Sequence, residues 1–148
     1  MGTVTYPDSR VAEYLQQHFF GARYDVKSTP EALAEFHAFW TPTLVFSDDE
    51  GVEVRRTEGY LEPAAMLAEM ALARLRAALL HARFEEARTL ARETAADAHG
   101  DREREAEALY FGAVADYKAS HDPKQLTTGL RALRDSLPDT DWARRADI

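Results

Sequence analysis

The sequence contains no cysteine among its 148 residues. Disulfide bonds, thiol nucleophiles and cysteine metal ligands are therefore excluded for this chain, and the composition is typical of a cytoplasmic protein. No apolar run is long enough to span a membrane, and the opening residues MGTVTYPDSR lack the layout of a secretory signal. Basic residues form no cluster, and the formal net charge is -8. A phosphate backbone needs a basic face, so nucleic acid is not an expected partner.

The first part of the chain mixes short helix and strand patterns. Asp8 is a suitable N-cap for an amphipathic helix, and the alternation across Phe20–Val26 predicts a half-buried strand. Thr29 and Pro30 are typical of an N-cap followed by the first residue of a helix. One apolar face of that second helix is formed by Leu33, Phe36, His37 and Trp40.

Two further strands are predicted around a tight turn. The uninterrupted apolar run Thr43–Phe46 indicates a central strand, and Asp48–Gly51 is typical of a hairpin turn. Apolar and charged residues alternate across Val52–Arg55, which predicts an antiparallel return strand. Thr41-Pro42 stands at the entrance to the central strand, where a proline is tolerated because it removes no donor from the strand interior.

No strand pattern remains beyond Pro63. Four helices are predicted, which begin at Pro63, near Phe84, before Ala106 and at Pro123, and a last turn is expected near Asp141. The third of these helices has one clean apolar face, formed by Ala106, Leu109, Tyr110, Ala113, Val114 and Tyr117.

The stretch YDVKSTPEALAEFHAFWTPTLVFSDDEGVEVRRTEGYLEP resembles the second half of the thioredoxin fold. Strand, helix, proline turn, strand, acidic hairpin, strand and a glycine before a helix follow one another in that family's order. Pro42 occupies the position of the family's cis-proline, and the residue before it, here Thr41, lends its backbone to an extended peptide in the family. The resemblance implies an α/β fold with a thioredoxin-like partial sheet of about three strands. It also makes Trp40, Thr41 and Pro42 candidate peptide-binding residues.

The helical part resembles a degenerate pair of tetratricopeptide repeats. RFEEARTLA is similar to the second helix of one repeat, and EALYFGAVADY is similar to the first helix of the next. Fewer than two full copies are present, so a plain helical extension explains the pattern equally well. The two resemblances divide the chain into a thioredoxin-like domain over residues 1–80 and an all-helical, tetratricopeptide-like segment over residues 81–148.

Two parts of the thioredoxin pattern have no counterpart in the chain. The family carries Cys-x-x-Cys at the start of its first helix, whereas the helix capped by Asp8 follows a segment without cysteine, so dithiol exchange is excluded for this chain. The family's central strand is also lacking, because MGTVTY is too short to supply it. Three arrangements are open: the strands Phe20–Val26 and Thr43–Phe46 pair directly, a second copy fills the gap in a homodimer, or the natural protein extends upstream of Met1.

The histidines do not indicate a metal site. His81 and Glu85 are spaced for one helical face, and Asp97, His99 and Asp101 cluster between two helices. No His-Glu-x-x-His motif is present, and acidic residues at a helix end are typical of a solvated turn. We therefore expect no metal and no other cofactor.

These features together predict a redox-inactive, thioredoxin-like protein that acts as a protein-interaction or peptide-interaction module. A protein or peptide is the expected partner, without nucleic acid or membrane, and the unpaired central sheet edge also allows a homodimer. The alternative is a fragment of a thiol-disulfide oxidoreductase whose Cys-x-x-Cys lies upstream of Met1. No residue of the chain is assigned a catalytic role.

Overall fold

A computed structural model describes residues 1–98 and 100–147. Within these residues the fold is mixed α/β and mostly helical, with seven helices and one two-stranded antiparallel sheet. The elements are α1 (Ser9–His18), α2 (Glu31–Glu35), β1 (Thr43–Ser47), β2 (Glu53–Glu58), α3 (Pro63–Leu80), α4 (Phe84–Ala96), α5 (Arg102–Ser120), α6 (Pro123–Ser136) and α7 (Asp141–Arg145). No helix in the described part of the chain is both long and apolar enough to cross a membrane.

The chain forms two compact units, Met1–Leu67 and Ala68–Ile148, and α3 runs from the first into the second. In the first unit α1 begins where the sequence predicts, because the Asp8 carboxylate accepts hydrogen bonds from the backbone N–H groups of Arg10 and Val11 at 3.0 and 3.4 Å. Val11, the one fully buried residue of α1, anchors this helix.

The hairpin between β1 and β2 is confirmed. The carboxylate of Asp48 accepts hydrogen bonds from the backbone N–H groups of Glu50 and Val52 at 3.0 and 2.7 Å. Gly51 adopts a positive φ of 82°, which a residue with a side chain rarely adopts. The aspartate and the glycine together close the turn, as their sequence pattern indicates.

The strand predicted at Phe20–Val26 is wrong, and the sheet has two strands rather than about three. Residues 20–25 are exposed and pair with no strand in the described chain. A strand is stable only beside a neighbour that satisfies its backbone groups, and the alternating pattern alone supplies none. Direct pairing of Phe20–Val26 with Thr43–Phe46 is therefore also wrong.

In the second unit α5 packs between two groups of helices, so the prediction of one apolar face on α5 was incomplete. One side of α5 carries the predicted residues Ala106 and Ala113 and packs on α6 and α7. The other side carries Ala108 and Ala115, which the pattern did not single out, and packs on α3 and α4. A helix that is buried on two sides loses the single stripe from which sequence periodicity is read.

Two buried carboxylates in this unit are matched by arginines. Glu107 on α5 accepts from Arg76 on α3 at 2.6 Å, and Glu69 on α3 accepts from Arg104 on α5 at 2.7 Å. Both glutamates are almost fully buried, and an unpaired buried carboxylate would be strongly destabilising. The two reciprocal pairs therefore hold α3 and α5 in one alignment.

Glycine allows a close helix contact in the second unit. A Cβ atom placed on Gly129 of α6 would lie 2.6 Å from the Cβ of Ala113 on α5. That separation is shorter than any ordinary contact between carbon atoms, so the space at this crossing admits only a hydrogen.

Gly129→Ala is expected to destabilise the protein by about 1–3 kcal/mol, because the new methyl group overpacks the crossing. An alanine in an exposed helix would instead stabilise by about 1 kcal/mol relative to glycine, so the sign of the change tests the packing. Urea denaturation followed by circular dichroism measures the free energy of unfolding.

The matched control is the double variant Gly129→Ala/Ala113→Gly, which returns the missing space and leaves one alanine and one glycine at the crossing. Its stability is expected to approach that of the wild type. A single variant as stable as the wild type would contradict the close α5–α6 contact.

Candidate functional site

The candidate residues Trp40, Thr41 and Pro42 lie in the connection between α2 and β1. The prediction that Trp40 belongs to an apolar face of α2 is wrong, because α2 ends at Glu35. His37 adopts the left-handed conformation with φ 49°, which stops the helix. The predicted N-cap at Thr29 is also wrong by one residue.

Backbone hydrogen bonds fix the end of α2. Ala38 N–H donates to the carbonyl of Leu33 at 2.8 Å, and His37 N–H donates to the carbonyl of Ala34 at 3.2 Å. This pattern is the Schellman motif, in which a left-handed residue redirects the chain. The residues that follow therefore leave the helix axis and expose their side chains.

Two large side chains are exposed as a result. Phe39 is 79% exposed and Trp40 is 64% exposed, and both Thr41 and Pro42 are exposed as well. Adjacent exposed aromatic residues are unusual on a protein surface and are typical of binding sites. Phe39 is not among the candidate peptide-binding residues predicted from the sequence, because no motif or helical spacing distinguishes it.

The Thr41–Pro42 peptide bond is cis, as the resemblance implies. The carbonyl of Pro42 accepts from Gly59 N–H at 2.8 Å, and the hydroxyl of Thr43 donates to the carbonyl of Trp40 at 2.7 Å. Both neighbours of Thr41 are thus held by hydrogen bonds. Among residues 1–98 and 100–147, no hydrogen bond involves the backbone of Thr41 itself.

Arg56 on β2 secures the same connection from the other side. Its guanidinium donates to the carbonyl of Phe36 at 2.7 Å and to the Glu53 carboxylate at 2.7 and 2.8 Å. The hydrogen bond from Arg56 holds the pKa of the Glu53 carboxyl below its usual range, against a weaker opposing effect of burial. The sequence carries no signal for this contact, because Arg56 and Phe36 lie on separate elements.

The residues considered for a metal site are not arranged as their spacing suggested. His81 follows the end of α3, and Glu85 lies in the first turn of α4, so they do not share one helix. Asp101 caps α5 through the backbone N–H of Arg104, and His99 lies outside the described residues.

A scan against models of protein families and searches of curated proteins and of solved structures found no match.

Arg56→Met is expected to loosen the connection that carries Trp40, because it removes the donors that hold the carbonyl of Phe36 and keeps most of the apolar stem. In a Trp142→Phe background Trp40 is the only tryptophan. Its time-resolved fluorescence anisotropy should then decay further on the nanosecond timescale than in the Trp142→Phe parent.

Arg10→Met is the matched control for this measurement, because the guanidinium of Arg10 pairs with Asp8 at the start of α1. It should leave the anisotropy of Trp40 unchanged. Equal anisotropy in the Arg56 and Arg10 variants would show that Arg56 does not restrain the site.

Proposed function

We propose that the chain is a redox-inactive, thioredoxin-like protein-interaction module that binds extended peptide at Trp40, Thr41 and Pro42. The observation that carries the proposal is the free backbone of Thr41 beside two exposed aromatic side chains. A free N–H and C=O can pair with a peptide backbone, which gives affinity without sequence selectivity. The aromatic rings of Phe39 and Trp40 add apolar contact area for the peptide's side chains.

The hydrogen bonds around the site favour this function. Arg56 and the end of α2 hold the connection on one side, and the hydrogen bond from Gly59 to Pro42 holds it on the other. A recognition segment that is ordered before binding loses less conformational entropy when the peptide arrives. The absence of any thiol in these 148 residues agrees with binding rather than thiol exchange.

Binding is tested with a carboxymethylated, permanently unfolded polypeptide that carries a fluorescent label. Trp40→Ala is expected to weaken binding by roughly tenfold or more, as the loss of an aromatic anchor does in other interfaces. Thr41→Pro should weaken it too, because proline has no N–H to donate. Fluorescence anisotropy titration measures the dissociation constant, and circular dichroism verifies that each variant is folded.

Two controls separate the site from general stickiness. Thr41→Val retains the backbone N–H and should bind like the wild type. Leu80→Ala removes an exposed apolar side chain of the second unit, 58% exposed, and should also bind normally. Wild-type affinity in both Trp40→Ala and Thr41→Pro would overturn the proposed site.

The redox-inactive part of the proposal is tested by a separate assay. The 148-residue chain should not accelerate the reduction of insulin by dithiothreitol, because it has no thiolate to attack a disulfide. Acceleration by this chain would contradict the redox-inactive part of the proposal.

A further inference from the structure

β1 has one paired edge and one open edge. It pairs with β2 in a two-stranded sheet, and no other strand of the described residues joins it. A row of unpaired N–H and C=O groups along a strand is a template on which a further strand can form.

The hydrogen bond between Gly59 and Pro42 determines which backbone groups face the open edge. In an antiparallel pair, residues that exchange hydrogen bonds alternate with residues that do not. Since Pro42 faces Gly59, the alternation turns Leu44 and Phe46 toward β2 and leaves Thr43 and Val45 turned to the open edge. The N–H that Pro42 lacks would also have faced β2, so the proline removes no donor from the open edge.

The two outer edges of the sheet differ in chemistry. β2 carries four charged residues, and a bulge between the pairs Phe46–Arg55 and Ser47–Glu53 interrupts its register. Charges and bulges are the devices by which edge strands avoid further pairing. β1 has neither a charge nor an inserted residue over Thr43–Ser47, so its edge is the one suited to accept a strand.

Charge argues for a basic peptide rather than a second copy as the occupant. The first unit, Met1–Leu67, holds 11 acidic and five basic side chains, a net charge of -6. Two copies of that unit would repel each other, whereas a cationic segment would be attracted. The turn at the end of β1 adds the exposed carboxylates Asp49 and Glu50 close to this edge.

We propose that the open edge of β1 binds an extended, apolar peptide segment as an added antiparallel strand, with basic residues at the N-terminal end of the segment. The antiparallel direction brings that end to the acidic turn that follows Ser47. Thr41 lies two residues before Thr43, so one peptide can reach both the edge and the exposed aromatic pair. The inference rests on the proposed peptide-binding function and assigns it a strand, a direction and a charge preference.

The test alters the peptide and leaves the protein intact. The probe is a labelled peptide of about nine residues, with two lysines followed by alternating valine and threonine, the length of an ordinary strand. Two derivatives carry N-methyl groups on alternate amides, one on the odd positions and the other on the even positions. Since only alternate amides of a strand face one neighbour, one derivative should lose roughly a hundredfold in affinity and the other should bind like the parent.

Hydrogen exchange of the protein gives a second readout. The amides of Thr43 and Val45 should exchange rapidly in the free protein and become protected when the parent peptide binds. Leu44 and Phe46, which already face β2, should be protected in both states and serve as internal controls. A peptide with glutamates in place of the lysines should bind at least tenfold more weakly at low salt.

The outcomes separate this inference from the function on which it rests. If both N-methylated peptides bind like the parent and Trp40→Ala still weakens binding, the peptide-binding function stands and the strand-addition inference is overturned. If neither the labelled peptide nor the unfolded polypeptide binds, both proposals fail. If Thr43 and Val45 are protected without peptide and sedimentation shows a dimer, a second copy occupies the edge and the inference is wrong.

Discussion

Every backbone N–H and C=O of a β-strand needs a hydrogen-bond partner, and β1 finds partners along only one edge. This constraint determines which segments of the first unit form the sheet and which backbone groups stay unpaired. It leaves Phe20–Val26 outside the sheet, and it leaves Thr43 and Val45 without strand partners among the described residues. The proposed strand addition and the direction of the peptide depend on this open edge, since a fully paired strand would have nothing to offer a ligand backbone.

The connection between α2 and β1 adds exposed aromatic side chains next to the open edge of β1. The left-handed residue His37 ends α2 early, and the hydrogen bonds of Arg56 hold the carbonyl of Phe36. Aromatic side chains that a longer helix would have carried are thereby exposed next to the strand. Large apolar side chains on an ordered segment are seldom exposed, because exposure loses the hydrophobic stabilisation that burial on folding provides.

Close helix packing and ion pairs, rather than strand pairing, determine the structure of the second unit. Its helices approach closely where Gly129 meets Ala113, and pairs of a partly exposed arginine with a buried glutamate, such as Arg76–Glu107, align α3 with α5. Small residues at helix crossings, together with buried carboxylates that are paired with arginines, restrict the alignment of neighbouring helices. The unit thus has a specific arrangement, although the sequence of its central helix, α5, indicates only one of the two faces that the structure buries.

Local rules were sufficient for the parts of the chain that local interactions control. The cap at Asp8, the Asp48–Gly51 turn, the start of α3 at Pro63 and the helical second half could all be predicted, because caps, turns and periodicity act over a few residues. The sequence also marked Trp40–Pro42 as a candidate site. Only the tertiary structure decided that Phe20–Val26 is not a strand, that α5 is buried on two sides and that Arg56 restrains the site. Those outcomes depend on whether a partner lies nearby in space, and the pattern of one segment carries no information about that partner.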